Sequence, residues 1–283
     1  MMMKRLTLNC IVALLCLNAQ ACTPTSQDNA TTAVAPDCMP AETAPKKDME
    51  QDTTPLGAKA LIACYPQFIK AYKNNTIVLA DGRALPYDDG KAKTHEEQMD
   101  NADIEDMFAQ AYDTTIWQPT KNYEPGRIRN EELMKYMYGK NANDVKKHLV
   151  GVKWFKQQLP FTCINGAADS LRAVAKDLEK LPAQFHKYFD QSSSFYWRTV
   201  RGSQRLSAHS YGMTIDICTK YSDFWRWKNP GKNESDDIVY VNRIPKEIVK
   251  IFEKHGFVSG VRWYHIDTMH FEFRPDLLKA SGM

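Results

Sequence analysis

The chain has 283 residues, and its 37 Lys and Arg against 34 Asp and Glu give a net charge of +3. This balance argues against a nucleic-acid partner, because dedicated binders usually carry a clustered basic excess. Hydrophobic residues make up 43% and charged residues 25% of the chain, a composition that excludes global disorder. Past the N-terminus, no apolar run approaches the ~20 residues that a membrane-spanning helix needs.

The first segment of the chain has the layout of a secretory signal. Lys4 and Arg5 provide a positive start, residues 11–17 form a short apolar stretch, and Ala19–Ala21 is a small-x-small cleavage site. We therefore expect residues 1–21 to be a signal peptide. The protein is then exported to the periplasm or cell envelope.

Cys22 directly follows the expected cleavage site, and two alternatives remain open for it. Either the chain is a lipoprotein attached to a membrane through lipidated Cys22, or cleavage leaves an ordinary cysteine. Residues 22–55 are rich in Thr, Ala, Pro, Asp and Gln, so they bury too little apolar surface to offset their ordering entropy. We expect this segment to be a flexible tether.

The remaining chain predicts an α+β fold, because its elements are mostly helical first and then mixed with short strands. Residues 56–150 are expected to form a mainly helical extension packed on a catalytic core at 151–283. The turn signal at Asp81-Gly82 predicts a hairpin. The spacing of apolar residues and the capping signals predict helices at 102–111, 130–138, 143–149 (capped by Asn143), 165–181 and from Pro245. Strands are predicted at 194–200, 213–218 and 270–273.

The cysteines of the folded part do not predict a disulfide pattern. Cys64, Cys163 and Cys218 lie in it, and an exported protein permits a disulfide whose pairing the sequence leaves open. Cys163 and Cys218 fall in strand-like runs, where we expect buried thiols. No Cys-x-x-Cys occurs, which argues against a zinc site built from cysteines.

Two short segments carry the unusual residues. In strand 213–218, Asp216 lies among apolar residues, where an unpaired carboxylate is expensive to bury. An arginine partner would solve this problem, and so would a metal ion. In strand 270–273, His270 and Glu272 share the face opposite the apolar residues. His209 lies just before the first strand. Two histidines and one aspartate therefore predict a zinc site with a fourth position open for water.

Attack by a zinc-bound water also needs a general base, and it needs a cation for the developing oxyanion. Asp267 lies three residues before His270 and is the candidate base. Arg198 is the candidate cation, with Arg201 and Arg205 close by. The remaining histidines are interpreted as surface or satisfied residues, although the position of His265 also allows a role behind the metal ligands.

The two segments resemble the signature of the zinc D-alanyl-D-alanine carboxypeptidase family. That family carries Ser-x-His-x-x-Gly-x-Ala-x-Asp, matched from Ser207 to Asp216 with Thr214 in place of Ala. Its later Asp-x-x-His is matched by Asp267 and His270. In one branch of this family, the Gly-Phe that precedes the last motif is commonly followed by Trp-Gly-Gly. Here Gly256-Phe257 is followed by Val-Ser-Gly-Val.

The resemblance implies His209, Asp216 and His270 as zinc ligands, Asp267 as general base, and Arg198 as the residue that binds substrate or stabilises the transition state. It also implies the small antiparallel sheet shared with lysostaphin-type enzymes and the hedgehog signalling domain.

The function expected on this basis is an exported zinc peptidase that hydrolyses peptidoglycan stem peptides. Among such enzymes, a D-alanyl-D-alanine carboxypeptidase is the favoured prediction. The first alternative is an endopeptidase that cleaves L-alanyl-D-glutamate or cross-link bonds. The second is a zinc-containing cell-wall binding module that no longer hydrolyses. The third is a structural envelope lipoprotein in which the motif is coincidental.

Overall fold

The computed structural model describes residues 52–283 and has a mixed α+β fold. The expected signal peptide, Cys22 and most of the expected tether lie outside the described residues. Residues 52–55 form neither helix nor strand. Within the described part, none of the helices combines the length and apolar character needed to cross a bilayer.

The helices are short and are spread along the whole described chain. In order they are α1 Leu56–Cys64, α2 His95–Asp100, α3 Glu131–Tyr138, α4 Ala142–Lys146, α5 Ala167–Leu178, α6 Trp225–Lys228, α7 Lys246–Lys254 and α8 Pro275–Ala280. The predictions for α3, α5 and α7 are confirmed. In α5 the buried Leu171, Val174 and Leu178 recur at steps of three and four, which gives the helix one apolar face.

The strands form three small antiparallel sheets in the described part. The first contains β1 Ile69–Lys73, β2 Thr76–Leu79 and β3 Ala84–Pro86; the second contains β4 Leu149–Trp154 and β5 Gln157–Thr162; the third contains β6 Thr214–Asp216, β7 Phe257–Ser259 and β8 His270–Phe273. In the third sheet β8 is central, between β6 and β7. The predicted hairpin around Asp81-Gly82 and the predicted last strand are confirmed.

Two of the predicted elements are wrong, and side chains explain both. The helix predicted at 102–111 is reduced to a 3-10 turn at Glu105–Phe108. The carboxylates of Asp103 and Asp106 each accept a hydrogen bond, 3.0 Å long, from the other's backbone N–H, and such local bonds compete with a helix. The strand predicted at 194–200 makes only one isolated bridge, at Thr199, because the Ser210 side chain bonds to both the N–H and the carbonyl of Arg198.

Two smaller predictions are also corrected. The cap of α4 is Asn141, whose side chain accepts bonds from the N–H groups of Asn143 and Asp144, so Asn143 is not the cap. Cys163 is exposed rather than buried, whereas Cys218 is buried as expected, and both are free thiols.

A single apolar core joins all three sheets. It includes Leu61 of α1, Ile77 of β2, Phe161 of β5 and Phe271 of β8, so residues 56–150 and 151–283 contribute to the same core. The expected boundary at residue 150 falls inside β4, and the segment before it contains a three-stranded sheet as well as helices.

Candidate metal centre and cleft

The pairing of β6 with β8 brings the two motifs together. Asp216 lies directly opposite His270, and Thr214 lies opposite Glu272. Directly opposed residues of an antiparallel pair have Cβ atoms roughly 4.5–5.5 Å apart. The two side chains that the sequence analysis selected therefore meet on one face of the sheet.

His209 reaches this face from a 3-10 turn at Ala208–Tyr211. The turn ends at Gly212, which has φ +68°, and a Cβ there would lie 2.5 Å from a methyl carbon of Leu149. Only glycine suits both conditions. The Nδ1 atom of His209 is hydrogen-bonded to the carbonyl of Ser194, and its Nε2 lies 3.2 Å from Oδ1 of Asp216.

His209, Asp216 and His270 converge as a compact group of metal-ligating atoms. Nδ1 of His270 lies 3.1 Å from Oδ1 of Asp216, and one ligand atom of each residue lies within 4.8 Å of the others. Burial would raise the pKa of Asp216, but His209 and His270 hold it well below its usual range. Two imidazoles and a carboxylate are a donor set that zinc accepts in catalytic sites, so the residues fit a zinc ion.

Glu272 supports this group from behind. It is fully buried, and its Oε2 lies 3.6 Å from Nε2 of His270 and 3.1 Å from a guanidinium nitrogen of Arg129. Burial would raise its pKa, but Arg129 and His270 lower it to about 2. A carboxylate behind a metal-ligating histidine fixes the ring and its tautomer. The sequence analysis placed Glu272 on the correct face but gave it no role.

Asp267 lies at the same cleft with an unpaired carboxylate. Its Oδ1 is buried and has no hydrogen-bond partner among the described residues. Burial and the negative charge of Asp216 raise the pKa of Asp267 to about 6. Its backbone N–H donates to the carbonyl of Gly260 over 3.2 Å. A half-buried carboxylate with a raised pKa is typical of a group that exchanges protons.

Arg198 is held at the cleft by its backbone, although the strand expected there is absent. Its N–H donates to Oγ of Ser210, and its carbonyl accepts from the Ser210 hydroxyl and from the N–H of Ser207. These serine contacts replace a neighbouring strand. The Arg198 side chain itself is exposed.

The cleft has a volume of about 380 Å³ and also contains His209, Asp267 and His270. Its walls are unusually rich in guanidinium groups, contributed by Arg127, Arg129, Arg198, Arg201, Arg205 and Arg226. Three of these are already paired: Arg127 with Glu234, Arg129 with Glu272, and Arg205 with Asp100. The remaining arginines give the cleft the capacity to bind a negatively charged group.

A second group of possible ligands lies in the described part, made of Glu124, Glu234 and His265. Glu124 and Glu234 are not predicted from the sequence, and His265 is predicted only as an ordinary histidine or as one behind the metal ligands. A buried acid in a loop gives no periodic signal, so only the tertiary structure reveals this group.

Comparison with known proteins finds one family model that matches part of the chain. Residues 201–273 match the family model described as D-alanyl-D-alanine carboxypeptidase. The match contains His209, Asp216, Asp267 and His270, and it confirms the family resemblance that the two motifs indicated. Arg198 lies just outside it. No curated protein and no solved structure matches the chain.

Proposed function

Residues 201–273 match the family model described as D-alanyl-D-alanine carboxypeptidase, and from this match we propose that the chain is a zinc peptidase of peptidoglycan stem peptides. One observation carries the proposal: His209, Asp216 and His270 converge, and the two histidines line one cleft together with Asp267, whose carboxylate is unpaired. The three converging residues would hold the zinc ion. When bound, zinc lowers the pKa of a water molecule and polarises the substrate carbonyl.

Asp267 carries the proton transfers in this proposal. As a carboxylate it accepts a proton from the attacking water, and as a carboxylic acid it donates that proton to the leaving amine. A pKa of about 6 makes both forms accessible near neutral pH, which is the condition for efficient general acid–base catalysis. The C–O bond forms first, the C–N bond then breaks as the amine accepts the proton, and the products are a carboxylic acid and an amine.

Arg198 supplies positive charge where the substrate carbonyl oxygen becomes an oxyanion. Its side chain makes no ion pair among the described residues and lines the cleft beside His209, so it is free to bind a negative group. A terminal D-alanine also has a free carboxylate, which the other cleft arginines suit. This feature favours a carboxypeptidase over an endopeptidase.

We extend the proposal to the fold and the location of the protein. The three-stranded sheet β6–β8–β7 with neighbouring helices supports the core shared with lysostaphin-type enzymes and the hedgehog signalling domain. Export, with residues 1–21 as signal peptide and 22–55 as tether, suits a substrate that lies outside the cytoplasm. Lipidation of Cys22 would attach the protein to a membrane.

The test combines product analysis with one variant. The purified, zinc-loaded chain is incubated with peptidoglycan and with a synthetic stem pentapeptide ending in D-Ala-D-Ala, and the products are identified by mass. Loss of one alanine from the pentapeptide is the expected result. New internal amines without that loss would indicate an endopeptidase instead. If neither substrate is cleaved, the chain is a zinc-containing binding module and not a peptidase.

The variant Asp267→Asn removes the proton acceptor and keeps the size of the side chain. We expect unchanged zinc content and a fall in kcat of about 10²–10⁴-fold. Normal turnover by this variant would contradict the assignment of Asp267 as general base.

A further inference from the structure

His265 is a buried imidazole on the wall of the cleft. It is 1% exposed, and its ring packs against Trp225 with the centroids 4.7 Å apart. The cleft that contains Asp267 and His270 is also lined by His265. We infer that Nε2 of His265 accepts a hydrogen bond from an N–H group of the peptide substrate. This inference rests on the proposed function and assigns to it a further substrate-binding residue.

Glu124 fixes which nitrogen of His265 carries the proton. Its carboxylate contacts Nδ1 of His265, and the same oxygen accepts the backbone N–H of His265 over 3.0 Å. Burial would raise the pKa of Glu124, but Arg127 and His265 hold it well below its usual range. An ionised carboxylate can only accept hydrogen bonds, so Nδ1 carries the proton. In the neutral ring Nε2 is then an acceptor.

Nε2 of His265 has no protein partner among the described residues. A buried acceptor that lacks a donor costs about 1–3 kcal/mol, so an N–H group that a ligand supplies from the cleft would satisfy Nε2 and favour binding. A stem peptide carries an N–H at each peptide bond. His265 lies two residues before Asp267, and both side chains line the cleft, which places this acceptor beside the proposed reaction centre.

A second metal ion is the competing explanation for this group, because Glu124, Glu234 and His265 lie within 4.8 Å of one another. The position of Arg127 argues against it. One guanidinium nitrogen of Arg127 contacts Glu124, and another lies 3.0 and 3.1 Å from the two oxygens of Glu234. The guanidinium already neutralises both carboxylates and would repel a cation. The group therefore orients His265 and does not require an ion.

The matched variants are His265→Asn and His95→Gln. The side-chain amide of asparagine can replace Nδ1 as donor to Glu124, but it has no atom at the position of Nε2. His95 also bonds to Glu124, with Nε2 3.3 Å from Oε2, but it lies outside the lining of the cleft. Both substitutions are made in zinc-loaded Asp267→Asn protein, and the Kd for the pentapeptide ending in D-Ala-D-Ala is measured by calorimetry.

We expect His265→Asn to raise this Kd about 10-fold and His95→Gln to leave it within about 2-fold. Equal Kd values for His265→Asn and its parent would overturn the inference. Cleavage by the wild-type chain, measured beside the Kd, tests the proposed function separately, so an inactive wild type with a weakened His265→Asn complex would contradict only the peptidase activity.

A second measurement avoids substitution at His265. The Asp267→Asn protein, labelled with ¹⁵N-histidine, is followed by NMR as the pentapeptide is added. We expect Nε2 of His265 to be unprotonated and its resonance to move on binding. A protonated Nε2 in the complex would make it a donor and would overturn the inference, as would a resonance that does not move.

Discussion

The carbonyl of Ser194 holds the ring of His209 from behind through a hydrogen bond to Nδ1. The carboxylate of Glu272 faces the ring of His270 from behind, but its Oε2 lies 3.6 Å from Nε2, so the attraction is electrostatic and not a hydrogen bond. Nε2 of His209 and Nδ1 of His270 face Asp216. The protein therefore orients the ring of His209 before any metal binds, and the charge of Glu272 favours the orientation of His270.

The first prediction at this scale concerns Glu272. The substitution Glu272→Gln keeps the shape but removes the charge that faces His270 and Arg129. We expect zinc affinity to fall about 10–100-fold, as measured by competition with a chelator. Glu247→Gln on the exposed face of α7 is the control. Equal zinc affinity in both variants would contradict the role given to Glu272.

The second prediction concerns Gly260. A Cβ at this position would lie 2.2 Å from the carbonyl oxygen of Asp267 and 3.2 Å from its Cβ, so Gly260→Ala has to displace Asp267. A misplacement of about 1 Å costs on the order of 10²-fold in rate. We expect kcat to fall by that order with zinc content unchanged.

Gly151→Ala is the matched control for Gly260→Ala, because its Cβ would meet nothing closer than 3.5 Å. We expect wild-type turnover from it. If Gly260→Ala is as active as Gly151→Ala, the position of Asp267 does not depend on Gly260.

At the scale of elements, α1 is connected to the site through buried polar groups. The hydroxyl of Tyr65, which follows α1, donates to Asp276 at the start of α8 over 3.0 Å. Asp276 accepts three bonds from the guanidinium of Arg274, and Arg274 lies 3.6 Å from Glu272. These contacts connect the end of α1 to β8, the strand that carries His270.

Tyr65→Phe tests this connection. It removes one hydrogen bond to a buried carboxylate, so we expect the free energy of unfolding to fall by about 1–3 kcal/mol. Denaturant titration measures the change. Tyr196→Phe is the control, since Tyr196 is 66% exposed. Equal stability of the two variants would show that the Tyr65–Asp276 bond contributes nothing.

The elements also explain how much the sequence could predict. The apolar periodicity of α5 and α7 and the alternation in β8 are local patterns, and the structure agrees with them. The register that sets Asp216 opposite His270 is not local, and neither is the pairing of Arg129 with Glu272 across 143 positions. The ligand candidates followed from their motifs, but the groups that orient them required the tertiary structure.

At the scale of the whole molecule, the core is shared between the two halves of the described chain. Leu61 and Ile77 pack in the same cluster as Phe161 and Phe271. The earlier segment also contributes Glu124, Arg127 and Arg129 to the site. Residues 56–150 therefore help to build the cleft.

This shared core predicts that residues 151–283 do not fold alone. Removing residues 56–150 exposes the apolar surface that they cover, at roughly 25 cal/mol per Å². We expect a cooperative unfolding transition for the full chain and none for the fragment, as measured by calorimetry. A cooperative transition of the fragment would show that the second half is an independent domain.

The central claim is that His209, Asp216 and His270 hold one zinc ion. The measurement that tests it most directly is the metal content of three purified proteins: the wild type, Asp216→Asn and Glu234→Gln. If these three residues hold the ion, we expect one zinc per chain in the wild type and in Glu234→Gln, and close to none in Asp216→Asn. A wild type without zinc, or an Asp216→Asn variant that retains it while Glu234→Gln loses it, would contradict the account.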